Sequence, residues 1–171
     1  DYILYPLERR TDVLEAQQKQ ISFLDVQGSP ASSSYAFRVS GFSTADSASA
    51  SSVLKFSTAS QGGLGDQLPA GTVRVYMKDA SGSPQFIGES AVPATPMGSA
   101  LALVTGEAFD VKVQTLVESR ERRGDNGWRT AMRYVLSNAS ARPVTIDVTQ
   151  DGLYGESRVV EQSLESEWIS A

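Results

Sequence analysis

The chain has 171 residues, of which 40% are hydrophobic and 20% are charged, and this length and composition are typical of one globular domain. It contains no Cys and no His, which excludes disulfides, thiolate and imidazole metal ligands, cysteine nucleophiles and a Ser-His-Asp triad. The net charge of −5 disfavours nucleic acids and anionic membranes as partners, and no apolar run approaches the ~20 residues of a membrane span.

The first third of the chain predicts β-strands, because apolar residues alternate with polar ones between clusters of Gly, Pro, Ser and Asn. Strands are predicted over residues 1–7, 18–26, 34–42 and 53–60. The one candidate helix is 11–20, which contains good helix formers. The small polar residues of 43–52 (STADSASASS) predict a mobile loop, with a Ser/Ala-rich edge strand as the alternative.

The rest of the chain continues the same pattern. Strands are predicted over residues 72–79, 85–92, 100–105, 109–120, 128–138, 144–151 and 158–164. The first two of these form a hairpin that directs Val73, Val75 and Met77 inward and Tyr76 outward. About ten strands, joined mostly by hairpins, predict an all-β antiparallel sandwich, immunoglobulin-like in general architecture, in a single domain spanning 1–171.

Several short motifs occur in a fixed order along most of the chain. They are LPAG (68–71), GE (88–89), TP (95–96), GEAFDV (106–111), the earlier QKQI (18–21) and the later Asn138 followed by PV (143–144). This order resembles the C-terminal domain of the mucoidy-inhibitor A-like proteins, a bacterial family of unknown function. The resemblance implies an exported bacterial protein of which this domain is one part, and it carries no catalytic residues.

In that family the domain continues past the position of Trp168 with further strand sequence. The resemblance therefore implies that a sandwich ending here lacks a strand and exposes an unpaired sheet edge.

Candidate chemical sites have simpler structural interpretations. Arg123-Gly124-Asp125 spells a cell-adhesion tripeptide but suits a hairpin tip. Ser52 and Lys55 have the spacing of a Ser-Lys pair, yet a strand would direct them to opposite faces. Five carboxylates on or beside strands are interpreted as solvated strand faces rather than a glycosidase pair: Glu89, Glu107, Asp110, Glu118 and Asp147.

The sequence predicts a non-catalytic module of the bacterial cell envelope, periplasmic or secreted, without cofactor or metal. It would act through a protein partner or through self-assembly, by strand addition at an open sheet edge. Tyr76, Trp168 and Ile169 are the predicted contact residues for a ligand or partner. Two alternatives stay open: a carbohydrate-binding module that stacks glycans on exposed aromatics, and a hydrolase with a carboxylate pair.

Overall fold

The computed structural model describes residues 4–7, 10–125, 127–155 and 157–169. Within these ranges the fold is all-β, as predicted, and no helix is long and apolar enough to cross a membrane. The strands are β1 (Ala31–Val39), β2 (Ala45–Ser57), β3 (Gly71–Lys78), β4 (Pro84–Val92), β5 (Ala100–Arg123), β6 (Gly127–Asn138) and β7 (Ile146–Gln150).

Five of the strands form one curled sheet in the order β6-β5-β2-β1-β7, and β3 and β4 form a separate two-stranded sheet. The pairing of β1 with β7 is parallel, whereas the other pairings are antiparallel. The large sheet is therefore mixed rather than wholly antiparallel. Seven strands are described, so the sandwich of about ten strands is not confirmed.

The missing strands have identifiable causes. Residues 18–26 and 158–164 alternate as strands do but pair with no neighbour in the described chain, and alternation alone does not make a strand. Of the predicted strand 1–7, residues 4–7 are not in a strand and 1–3 lie outside the described residues. The predicted strands 100–105 and 109–120 are one continuous strand, β5.

The loop predicted over 43–52 is wrong, because these residues form most of β2. The alternative of a Ser/Ala-rich strand is correct, although β2 lies inside the sheet between β1 and β5 and not at its edge. Its small side chains allow close packing, since Ala50 is fully buried in a cluster with Ala108 and Val111. Composition suggested disorder, but burial between two neighbouring strands supplies the stabilisation that such a segment lacks alone.

The candidate helix over 11–20 does not form. A tight turn forms around Glu15 and Ala16, where the amide of Gln17 donates to the carbonyl of Leu14 over 3.1 Å. Ala16 has a φ of 59°, which a right-handed helix does not allow. A segment this short cannot sustain a helix without packing against other elements.

β5 has an irregularity that divides it into two parts with different strand partners. Ser49 of β2 pairs with Lys112, but Ser51 pairs with Glu107, so β5 carries several extra residues at this point. The residues before the irregularity pair with β2 alone. Residues 111–123, after the irregularity, pair with β6, and only the first few of them also pair with β2. On the inner face after the irregularity, Val111 and Val113 are fully buried.

The β3-β4 hairpin packs against the first half of β5. Gly88 of β4 lies so close to β5 that a Cβ at this position would stand 1.8 Å from the carbonyl oxygen of Thr105. Glycine is therefore the residue that permits this approach. The contact holds the small sheet against the large one.

Candidate functional site

The predicted contact residues lie in two separate parts of the molecule. Tyr76 is on the hairpin and is 56% exposed, as the alternation of β3 predicts. The inward direction predicted for Met77 is not borne out by its exposure, because this residue is 61% exposed. Trp168 and Ile169 are 62% and 78% exposed, in the segment after β7, which forms no strand. In the described part of the chain, no aromatic contact joins Tyr76 to Trp168.

The exposed aromatic rings do not form one flat surface. Tyr76 meets its cross-strand partner Phe86 with ring centroids 5.6 Å apart and planes at 63°. A sugar lying flat on one of these rings would meet the other at its edge. Trp128, on β6, is instead stacked by the guanidinium of Arg120, which lies 4.8 Å from the ring centroid.

Three of the five candidate carboxylates face cations on other strands. Their partners and oxygen–nitrogen distances are Glu89–Arg74 at 3.1 Å, Glu118–Arg133 at 2.5 Å and Asp147–Lys55 at 2.7 Å. All these side chains are well exposed, so each ion pair contributes little stability, on the order of 0–1 kcal/mol. The described residues contain no cluster of three side chains suited to hold a metal ion.

Among the described carboxylates, Asp79 has a clearly altered pKa, and it lies at the tip of the β3-β4 hairpin. Its pKa is lowered to about 2 by hydrogen bonds, first from the hydroxyl of Ser81, then from the amide of Ser83 and the side chain of Gln85. A general acid needs the opposite shift. Asp79 therefore acts as a structural acceptor in the turn.

Two other short motifs have structural roles. Lys55 donates to the carboxylate of Asp147, so its amine is held in an ion pair rather than directed at Ser52. The Arg123-Gly124-Asp125 tripeptide lies at the tip of the β5-β6 hairpin, where Gly124 adopts a φ of 67°. The turn needs this positive φ, which glycine adopts without strain.

A cleft of about 320 Å³ separates the hairpin from the large sheet, and sequence reasoning missed it. Met77 and Ile87 form the hairpin side, while Ser34 and Val53 lie on the sheet side and Glu107 joins them. The hydroxyl of Ser34 is buried without a hydrogen-bond partner. Since these residues come from five different strands, no local pattern in the sequence could have grouped them.

The outer edge of β6, residues 127–138, is the longest open edge of the large sheet; we call it the β6 edge. The described chain places no strand beyond β6, so the backbone groups that face away from β5 have no strand partner. Trp128, Val135 and Leu136 are exposed along it. Arg129 and Arg133 are exposed there as well.

The sheet curls so that side chains from its two end strands meet. The hydroxyl of Tyr134 on β6 donates to the side-chain oxygen of Gln150 on β7 over 2.6 Å, and burial raises the pKa of Tyr134. The side-chain amide nitrogen of Gln150, Nε2, in turn donates to the backbone carbonyl of Gly41 over 2.6 Å. Hydrogen bonds of Gln150 thus hold the end of β7 in place, whereas no strand covers the outer backbone of β6 in the described chain.

Residues 158–169 follow β7 and are called the 158–169 segment. Its large apolar side chains are exposed: Val159, Val160, Leu164, Trp168 and Ile169. It approaches β6 at one point, where Glu161 lies 4.0 Å from Arg129. No strand forms within it.

Comparison of the chain with protein-family models, with curated proteins and with solved structures finds no match. The interpretation of the site therefore depends on its geometry. That geometry offers a long open strand edge with exposed apolar and basic side chains.

Proposed function

We propose that this chain is a non-catalytic module of the bacterial cell envelope, periplasmic or secreted, that acts through protein–protein contact or self-assembly. A strand from the partner adds to the β6 edge. The observation that carries the proposal is the unpaired outer backbone of β6 in the described chain. An added strand would gain main-chain hydrogen bonds along the edge, and side-chain contacts would select which strand is accepted.

The length of β6 suits this role. A strand of 12 residues spans about 40 Å, which is long for an edge that stays unpaired. After Gly127 the strand contains neither Pro nor Gly, so each of its backbone groups can take part in a ladder. Its exposed Arg side chains repel a basic strand and attract an acidic one, so they favour an acidic partner strand.

The placement in the envelope and the finer architecture belong to the same proposal. The order of motifs that resembles the mucoidy-inhibitor A-like family supports export. The packing of Gly88 on Thr105 supports treating the hairpin as part of a second layer over the large sheet, in an immunoglobulin-like sandwich. The added strand would then extend one layer of that sandwich.

The test is amide hydrogen exchange measured in dilute and in assembled protein. We expect the β6 amides to exchange more slowly in the assembled state, because an added strand protects them. Val135→Lys places a charge on the edge and should weaken association about tenfold, or about 1.4 kcal/mol. Met97→Lys, at an exposed loop position away from β6, is the matched control and should not weaken it.

A different result would contradict the proposal. If the mass rises on assembly while β6 exchange stays unchanged, the contact uses another surface. Equal weakening by both lysine variants would show a general effect of added charge rather than a specific edge.

A carbohydrate-binding function is the second candidate, and the exposure of Tyr76 and Phe86 favours it. Calorimetry with envelope glycans should then detect heat that Tyr76→Ala abolishes and Trp128→Ala preserves. If none of the envelope glycans gives a heat of binding, this candidate function is excluded.

A further inference from the structure

The 158–169 segment has the side-chain pattern of a strand with one acidic and one apolar face. In an extended chain, residues separated by an even number of positions share a face. Over residues 160–168, one face would then carry the apolar side chains Val160, Leu164 and Trp168, and the other the acidic side chains Glu161, Glu165 and Glu167. The apolar Val159 and Ile169 lie at the two ends of the acidic face. The large apolar side chains of the segment are exposed in the structure, so the fold does not bury the apolar face.

β6 carries the complementary pattern. Arg129 and Arg133 share one face of the strand, and Trp128, Met132 and Leu136 share the other. The two Arg are four residues apart, about 13 Å in a strand, and Glu161 and Glu165 have the same separation. An acidic face therefore fits over the basic one at two positions while apolar residues meet on the opposite face.

The structure already shows one contact of this kind. Glu161 approaches Arg129 to 4.0 Å within the same chain. The approach forms no ladder, because the described residues after β7 contain no strand. The contact identifies the charge pair that a full docking would use, while leaving the backbones of both the segment and the β6 edge unpaired.

We infer that the strand added to the β6 edge is the 158–169 segment of a second copy of this chain. The inference rests on the proposed function and names its partner. If each copy gives its segment to the β6 edge of the other, the exchange is reciprocal and closes as a two-fold dimer. Both edges are then covered and both acidic faces meet Arg side chains.

Charge exchange between copies is the experiment that tests this inference. One variant carries Arg129→Glu and Arg133→Glu, and the other carries Glu161→Lys and Glu165→Lys. We expect the wild-type chain to dimerise and each variant alone to associate at least about tenfold more weakly, because like charges face each other. An equimolar mixture should restore the dimer, since every segment then finds an edge of opposite charge.

The control reverses charge elsewhere with the same spacing. Arg74→Glu with Lys78→Glu places two changes four residues apart on β3, which belongs to the other sheet. Arg74 pairs with Glu89 as Arg133 pairs with Glu118, so the control also loses an exposed ion pair with a neighbouring strand. This control should dimerise as the wild type does, and far-ultraviolet circular dichroism establishes that each variant is folded.

The possible outcomes separate the inference from the proposed function. In one outcome, the β6 amides exchange hydrogen slowly in the dimer, but the charge-reversed variants dimerise as well as the wild type. This result would overturn the inference and would still support strand addition at β6. Fast β6 exchange in the dimer would overturn both. A wild-type chain that stays monomeric, with the amides of β6 and of the segment protected together, would show docking within one chain and overturn the inference.

Discussion

Asp79 shows how one side chain can fix a turn without being buried. Its Oδ1 accepts hydrogen bonds from the amides of Ser81 and Ser83 and from the Ser81 hydroxyl, and its Oδ2 accepts one from Gln85. These bonds favour the ionised form, which is why the pKa falls to about 2. The turn between β3 and β4 therefore depends on a charged carboxylate.

The pH dependence of this turn follows from the sign of the shift. A lowered pKa stabilises the folded turn above the ordinary value of 3.8, and this stabilisation is lost as the pH falls through about 2. We expect the carboxyl signal of Asp79 to titrate near pH 2 in an NMR experiment. Asp79→Asn should loosen the turn at neutral pH, whereas Asp46→Asn, at an exposed position of β2, should not. A midpoint near 3.8 would contradict the hydrogen-bond network.

Single residues were predictable where the pattern is local. The cross-strand contact of Arg133 with Glu118 is of this kind, because two neighbouring antiparallel strands with a short turn fix which faces meet. The outward direction of Tyr76 follows from alternation along β3. The unpartnered hydroxyl of Ser34 was not predictable, since the strands around it are distant in the sequence.

At the scale of elements, the junction between the two sheets depends on the absence of a side chain. Gly88→Ala would bring a Cβ against the carbonyl oxygen of Thr105, and backbone on both sides cannot move easily. We expect Gly88→Ala to destabilise the fold by about 2 kcal/mol or more.

Urea unfolding measures this effect, and Gly71→Ala is the control. Gly71 begins β3 of the same hairpin, and a Cβ there meets nothing within 4 Å. If the two alanine variants have the same midpoint, the hairpin does not pack on β5 as described.

Elements were predicted well where strands are neighbours and poorly where their partners are remote. The β3-β4 hairpin follows from a turn flanked by two alternating runs. β2 was misjudged because its stabilisation comes from β1 and β5 and not from its own Ser and Ala residues. Residues 18–26 show the reverse error, since a good pattern found no partner in the described chain.

The whole molecule exposes far more surface than its mass requires. Its accessible surface is 13685 Å², against about 8,100 Å² expected for a compact protein of this mass. Few side chains are fully buried, and the largest of them are Leu103, Val111, Val113 and Thr58. The described residues before β1 and after β7 form no strand and contribute to this large surface.

Salt should weaken the proposed dimer, because charge pairs contribute to its contact. The screening length falls from about 10 Å at 0.1 M salt to about 3 Å at 1 M. We expect the dissociation constant to rise about threefold to tenfold over this range, measured by light scattering. A constant value would indicate an apolar contact alone.

The ion pair of Arg38 with Asp151, beside the parallel pairing of β1 and β7, joins residues 113 positions apart in the chain. A ribosome must therefore synthesise residues 40–145 after β1 before β1 can obtain its second neighbour. Until then β1 has an unpaired edge in the nascent chain. Contacts between residues so far apart in the sequence also form slowly. Folding of this sheet is thus a late event, and the interval before β7 emerges is when incorrect pairing between nascent chains is most probable.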